Sequence, residues 1–530
     1  MNRKAILEKI KTGAGWDLVV IGGGATGLGT ALEAVSRGYQ VLLLEQSDFA
    51  KSTSSKSTKL VHGGVRYLAQ GDVALVREAS IERGLLLKNA PHLVRNLSFV
   101  IPLYSFWDKF KYTIGLKVYD WIAGRLSLGS SVYIRKKEVV QKLPTVEQKG
   151  LTGGVLYHDG QFDDSRLALN LAQTVVEKGG FVLNYARVTG LKKSPEGQVC
   201  GVDMTDMETG ASYSISAKAV INATGVFVDD VLQMDKPGVR KSTCASQGVH
   251  VVLDRSFLPG DHALMIPETP DGRVLFAVPW HDKLVVGTTD TPVESASLEP
   301  VALEQEIQFI LDTASQYLVR KPSRKDVLSV FAGLRPLAAP QGDGQKTKEI
   351  SRSHKIIVTS SKLFTIIGGK WTTYRRMGED MVNKVEETLQ LPKTQTGTRH
   401  MKIHGYQEGV SWADPLYFYG SDAAAIRDMI AEDGSWISEK LQIRKAQVVW
   451  AVQEEMALAV EDVLARRTRA LLLDAEEAVR VAPLVADVMA PLLGKDESWK
   501  EAQVESFKKI ASNYIINNTT PLVRNLSTAI

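Results

Sequence analysis

The chain has 530 residues, 44% of them hydrophobic and 23% charged, the make-up of an ordinary folded protein with room for several domains of roughly 150 residues. With 64 basic and 60 acidic residues, the net charge of +4 gives no reason to expect nucleic acid as a partner. Two cysteines, Cys200 and Cys244, are too few for a disulfide framework or a thiolate metal site, and they fit a reducing cytoplasm.

Residues 1–11 are polar and charged, so no secretory signal is expected. No run reaches about 18 apolar residues, so neither is a transmembrane helix. The first strong pattern is Asp17-Leu-Val-Val-Ile-Gly-Gly-Gly-Ala-Thr-Gly-Leu-Gly-Thr30. Residues 18–21 lack the alternation of a half-exposed strand and read as a buried parallel one. Gly22, Gly24 and Gly27 then fit G-x-G-x-x-G, and a helical stretch runs to Arg37. Gly22 permits the tight turn, Gly24 lets backbone approach a pyrophosphate, and Gly27 lets the helix pack closely. The helix N-terminus offers unpaired N–H groups and a positive dipole end to phosphates. A second apolar strand, 41–44, ends in Glu45, whose carboxylate suits an adenosine ribose and argues against a 2′-phosphate. A lone glycine motif is often only a turn. Strand, glycines, helix, second strand and acid in that order predict dinucleotide binding, with NAD and FAD both open.

Residues 47–60 are dense in hydroxyls and lysines, and by composition alone read as a solvated loop. Val61-His62-Gly63-Gly64-Val65-Arg66-Tyr67-Leu68 changes that reading, because a glycine pair lets the chain pass close to a flat cofactor. Residues 73–90 read as a helix. Residues 103–129 interleave Tyr104, Phe106, Trp107, Phe110, Tyr112, Tyr119 and Trp121 with Lys109, Lys111, Lys117 and Arg125. That pattern suits either a segment in a membrane interface or an amphipathic helix packed on its own domain. A Gly- and Asp-rich loop is expected over 153–164 and a helix over 165–178. Strands follow at 181–185, 199–206 and 212–216, and a further apolar one leads into Ala223-Thr224-Gly225. Residues 241–340 read as a mostly β domain with strands at 249–253, 274–279 and 283–288. Strands at 355–359 and 363–367 precede Gly368-Gly369-Lys370-Trp-Thr372-Thr-Tyr-Arg-Arg376, which opens a helix. Beyond about 395 helical segments dominate, one of them spanning 448–464 with apolar positions at helical spacing. Arg466, Arg467 and Arg469 at its end read as a solvated or ion-paired face.

Taken together, these stretches resemble the FAD-dependent glycerol-3-phosphate dehydrogenases over nearly the whole chain. The glycine motif with Glu45, Ser54-Ser55, His62-Gly-Gly-Val-Arg-Tyr67, Ala223-Thr-Gly225, Gly333-Leu-Arg-Pro336, Arg352 and Gly368-Gly-Lys-Trp-Thr-Thr-Tyr-Arg375 carry the likeness. The glycine motif is shared by many flavoproteins; the stretches around His62 and Lys370 are far more specific. The implied fold is α/β: an FAD-binding Rossmann-like domain (14–100, 151–240 and 350–395), a mostly β substrate domain (241–349) and an α-helical C-terminal domain (396–530). Residues 101–150 form the aromatic and basic segment. The resemblance implies FAD as cofactor and oxidation of sn-glycerol 3-phosphate to dihydroxyacetone phosphate, with electrons passed to a quinone. It also implies peripheral attachment to the cytoplasmic face of a membrane. A homodimer is compatible with the sequence, and no metal is expected.

The chemistry needs a hydride acceptor, a base for the hydroxyl proton and positive charge for the phosphate. Arg66, Arg352 and Lys370, with Tyr67, are the expected clamp, since a guanidinium is bidentate and stays charged. His250 is the expected base, its ordinary pKa lying near neutrality, and Arg335 is placed beside the carbinol oxygen. His62 is the alternative base, or a wall of the flavin site. Gly22, Gly24, Gly27, Glu45, Ser54, Ser55, His62, Gly63, Gly64, Thr224, Gly225, Gly368, Gly369 and Thr372 are the expected cofactor residues. The stretch 368–372 is expected to aim a helix N-terminus, capped by Thr372 and Thr373, at the flavin's pyrimidine edge. A glycerol-3-phosphate oxidase making hydrogen peroxide would share every one of these residues. A fold-related amine oxidase would want one carboxylate-binding arginine rather than a cluster of cations, and a non-catalytic flavin-binding protein would not need His250, Arg335 and Lys370.

Overall fold

The computed structural model describes residues 1–13, 15–64, 72–105, 112, 115–117, 122, 128–269, 272–339 and 353–516. Arg66, Tyr67, Arg352 and most of the aromatic and basic segment lie outside the described residues.

Among the described residues two large sheets share one cavity. In the first, Trp16–Ile21 lies between two parallel partners, Val41–Leu44 and Ser212–Asn222. Phe181–Leu183 and Leu363–Ile367 extend it in parallel on either side, and Lys355–Val358 closes one edge antiparallel. Val19, Val20, Leu42 and Leu43 are wholly buried, as expected for strands covered on both faces. Each such side chain contributes about 1.5–3 kcal/mol. The helices Ala25–Ser36, Asp164–Glu177 and Tyr374–Thr388 cover this sheet. The two strands expected on either side of Ser216 are one, Ser212–Asn222. Its first half pairs antiparallel with Val199–Asp206 and its second half parallel with Trp16–Ile21.

The second sheet is organised on Thr243–Asp254, which pairs antiparallel with Lys283–Gly287 and along its whole length with Val327–Ala338. Two strands from far earlier in the chain complete it. Val94–Leu103 lies parallel to Ala263–Ile266, and Gly153–Phe162 pairs with Val94–Leu103 over ten residues. The Gly- and Asp-rich stretch expected to be a loop is therefore a strand of this sheet. Its partners, not its own composition, decide that.

Beyond these sheets the chain is largely helical. In Ala475–Leu493 the positions Ala478, Val481, Ala482, Val485 and Met489 recur at helical spacing and are fully buried. The helix expected over 448–464 is interrupted. Lys445–Gln453 stops, the chain turns through Met456 at φ +56°, and a wide helical turn resumes at Asp462–Arg467. Among the described residues no helix is long and apolar enough to cross a membrane.

Candidate functional site

A cavity of about 460 Å³ runs between the two sheets, within the range typical of ligand sites. One wall is the turn after the first strand. Gly22 has φ +111°, and a Cβ there would lie 2.6 Å from the carbonyl oxygen of Ala223. Gly24 precedes the helix Ala25–Ser36 and brings no capping side chain of its own; Ser54 Oγ accepts from Ala25 N at 3.0 Å instead. Gly27 lies outside the cavity. A side chain there would collide with the carbonyl oxygen of Gly22, so this glycine lets the helix sit on the turn.

Glu45 lines the cavity with its carboxylate already engaged. Oε2 accepts from Gly23 N at 2.6 Å and Oε1 from Ser47 N at 2.9 Å. Burial pushes its pKa up, and these two N–H groups oppose that. Beside it Ala186, Arg187 and Val188 line the same end, delivered there because Ala186 N donates to Glu45 O at 2.7 Å. No local signal marked these three; only the pairing of distant strands brings them in.

The loop after Glu45 forms a second wall. Thr53 Oγ1 donates to Leu334 O at 2.6 Å, and Trp371 Nε1 donates to Ser54 O at 2.8 Å. Lys56 Nζ pairs with Glu299 at 2.7 Å. The expected solvated loop is thus clamped from both sides. Ser55 turns away from the cavity, its buried hydroxyl donating to Ser52 O at 3.3 Å, and Gly63 does not line it either. His62 and Gly64 do. Across the cavity lie Thr224 and Gly225, with Thr224 Oγ1 donating to Asn222 Oδ1 at 2.7 Å. Gly368, Gly369, Lys370 and Thr372 close the wall. Neither threonine of that stretch caps its helix by side chain. Thr372 Oγ1 accepts from His62 N at 3.2 Å, and Thr373 Oγ1 donates back to Lys370 O at 3.4 Å.

The second sheet supplies the charged end. Ser246 stands opposite Arg335 and His250 opposite Phe331, so Arg335 and His250 rise from one strand pair. Gly248 leaves room for the Arg335 guanidinium, which a Cβ there would strike. Arg335 Nη1 pairs with Asp290 at 3.1 Å and Nη2 donates to Thr289 O at 2.9 Å. His250 is 2% exposed and stacks on Phe331 with ring centroids 4.8 Å apart. Its Nε2 lies 2.9 Å from Thr58 Oγ1. Burial, then the charges of Lys59 and Arg335, hold its pKa well below the ordinary histidine value. The near-neutral pKa expected from the sequence is corrected accordingly: the fold holds it well lower. Thr58, unremarked in the sequence, lines the cavity beside His250, and only the structure shows it there.

The donor set fits a dinucleotide carrying a flat ring system. A helix N-terminus with no capping side chain of its own meets a turn too tight for any side chain, and the cavity continues past glycines to His250, Arg335 and Lys370.

Two families match the chain: FAD dependent oxidoreductase over residues 17–374, and the C-terminal domain of alpha-glycerophosphate oxidase over 364–501. A Dictyostelium discoideum protein named probable glycerol-3-phosphate dehydrogenase, mitochondrial, is 38% identical over 95% of this chain and 84% of its own length. The Homo sapiens glycerol-3-phosphate dehydrogenase, mitochondrial, is 36% identical over 96% of this chain and 75% of its own. Among solved structures, the Bacillus halodurans glycerol-3-phosphate dehydrogenase complexed with FAD superposes with a TM-score of 0.79 at 28% identity. It covers 98% of this chain and 99% of that one. The relatives' names overturn one expectation. The Dictyostelium discoideum and Homo sapiens proteins are named as mitochondrial, which counts against the cytoplasmic location expected from the sequence.

Proposed function

Because this chain belongs to the FAD-dependent glycerol-3-phosphate dehydrogenase family, an FAD-containing oxidoreductase family, we propose that it oxidises sn-glycerol 3-phosphate to dihydroxyacetone phosphate and passes the electrons to a membrane quinone. The observation that carries this reading is the convergence of Lys370, Arg335 and His250, from three separate strands and turns, on the cavity that begins at the Gly22 turn. Gly22, Gly24, Glu45, Ser54, His62, Gly64, Thr224, Gly225, Gly368, Gly369 and Thr372 hold the cofactor. Bound there, FAD supplies at its N5 the acceptor for a hydride from C2 of the substrate. Lys370, joined by Arg66, Arg352 and Tyr67 as the family resemblance implies, holds the phosphate and orients the carbinol carbon. Arg335 stabilises negative charge as it develops on the carbinol oxygen. His250, uncharged in the fold, receives the proton.

The test is the visible spectrum of the protein under anaerobic conditions, before and after sn-glycerol 3-phosphate. Bleaching of the oxidised-flavin band by the phosphate ester, with plain glycerol inert, is the expected result. A band that persists sinks the substrate. The C-terminal match to an oxidase family supports a second reading, in which oxygen takes the electrons. Rapid oxygen uptake without added quinone would select that reading over the quinone.

A further inference from the structure

We propose that Thr58 relays the proton between the substrate hydroxyl and His250, so that the imidazole takes its proton through the threonine rather than from the substrate directly. This rests on the reading above, in which the site oxidises an alcohol with His250 as base. Both nitrogens of His250 are already committed or enclosed. Nε2 lies 2.9 Å from Thr58 Oγ1, and Nδ1 is buried with no hydrogen-bond partner among the described residues. Phe331 stacks on the ring at an interplanar angle of 15°, and the backbone at Gly287 is so close that a Cβ there would strike Cδ2. The ring therefore has no room to turn. Thr58 also lines the cavity and is more open than the 2%-exposed His250, so its hydroxyl is the group offered to a bound alcohol.

The hydroxyl is held in place through its neighbours. Ser57 donates to Asp164 Oδ2 from both its backbone N, at 3.1 Å, and its hydroxyl, at 2.7 Å. On the other side Lys59 Nζ reaches the same carboxylate at 2.8 Å. Thr58 is thus strung between two anchors on one buried aspartate, without spending its own hydroxyl on the anchoring. The charges facing His250 are Lys59, from this loop, and Arg335, from the opposite strand, balanced in turn by Asp164 and Asp290.

In the step itself the O–H bond of the substrate's secondary alcohol breaks as Thr58 Oγ takes that proton. Thr58's own O–H bond breaks as its proton forms an N–H bond at His250 Nε2. One proton passes from substrate to imidazole, Thr58 is regenerated, and no electrons move in this half of the reaction.

The experiment is anaerobic stopped-flow flavin reduction in holoenzyme carrying Thr58→Val, Thr58→Ser or His250→Asn, with a proton inventory in mixed light and heavy water. Thr58→Val is expected to slow reduction by about 100-fold or more at saturating substrate, while Thr58→Ser stays close to the parent. A bowed inventory, signalling two protons in flight, supports the relay, and a linear one overturns it. Full-rate reduction by Thr58→Val also overturns it. Full-rate reduction by His250→Asn instead removes His250 as base, which is the failure of the underlying reading and not of the relay alone. Should the valine variant lose its flavin, nitrogen NMR of histidine-labelled parent enzyme decides. Nε2 of His250 bare at neutral pH supports the relay, and a proton resident on Nε2 overturns it.

Discussion

His92 and His250 are buried and His281 is half-buried, and in each case loss of solvent is the largest force holding the imidazole below its ordinary pKa. His92 shows the consequence most simply. It is fully enclosed, Nε2 donates to Asn170 Oδ1 at 3.2 Å, and its pKa falls to about 4. In the unfolded chain the same imidazole takes up a proton near pH 6.5, as histidines usually do. Between those two values the unfolded state binds more protons than the folded one, so stability is lost as pH falls. By about pH 5 the loss from this one residue is about 2 kcal/mol. His92→Gln is expected to be somewhat less stable at neutral pH yet to show a shallower fall in melting temperature between about pH 7 and pH 5. Parallel pH profiles for the variant and the parent would contradict the assignment. Single residues of this kind are barely legible in a sequence. In the sequence His250 stands out only as an imidazole whose ordinary pKa lies near neutrality, and the shift in its pKa depends on burial and on Lys59 and Arg335, far away in the chain.

At the scale of elements, the stretch between Glu45 and Leu60 separates what sequence reveals from what it hides. The strand, turn and helix over 16–36 follow from local chemistry, and they fall where the pattern put them. The next stretch looks solvated because its anchors lie elsewhere: Leu334 and Trp371 on one side, Asp164 on the other. The Asp-rich stretch from Gly153 misleads for the same reason. Asp159 pairs with buried Arg83 at 2.6 Å, Asp163 with Arg469 at 3.0 Å and Asp164 with Lys59, so its acids face inward to cations rather than outward to water. The Lys59–Asp164 pair is wholly buried. Removing one partner leaves the other's charge unpaired, which costs about 3–5 kcal/mol, whereas exchanging a buried pair for apolar residues costs little. Asp164→Ala is therefore expected to destabilise the protein by that amount and to loosen FAD, because Ser54, Thr58 and the turn they serve lose their support. The double variant Asp164→Leu with Lys59→Met is expected to recover much of the stability. Calorimetry and FAD titration measure both effects, and a single variant as stable as the parent would show that the clamp carries no load.

The largest division of the molecule, sheets first and helices last, was legible from composition, but not how the two are joined. Arg466, Arg467 and Arg469 read as a solvated or ion-paired face, and the structure corrects the first half of that: they are 2%, 0% and 1% exposed. Arg466 Nε and Arg467 Nη2 reach Asp48 at 2.5 and 2.9 Å, while Lys51 reaches Glu461 at 2.7 Å. Asp48 and Lys51 flank Ala50, whose N–H donates at 3.0 Å to the carbonyl of Gly23 in the glycine turn. The helical region therefore grips the very loop that backs the cofactor cavity. Burial opposes ionisation of Asp48, but Arg467 and Arg466 together outweigh it and hold the carboxyl below its usual range. A carboxylate held down in this way contributes stability above its ordinary pKa, and the contribution fades only as pH falls through the lowered value. Acid near pH 5 leaves the Asp48 carboxylate charged between its two arginines, whereas a side-chain deletion removes it. Asp48→Ala takes from Arg467 its close carboxylate partner in a closed site, while Arg466 keeps Glu461 and Asp462 at 2.7 Å, and a loss of about 3–5 kcal/mol is expected. Two readouts follow from the geometry, and they should move together: protease cleavage between the sheets and the helical region rises, and FAD affinity falls. Cleavage that rises while FAD stays fully bound would mean that the helical region is held by Asp48 but does not brace the cofactor turn.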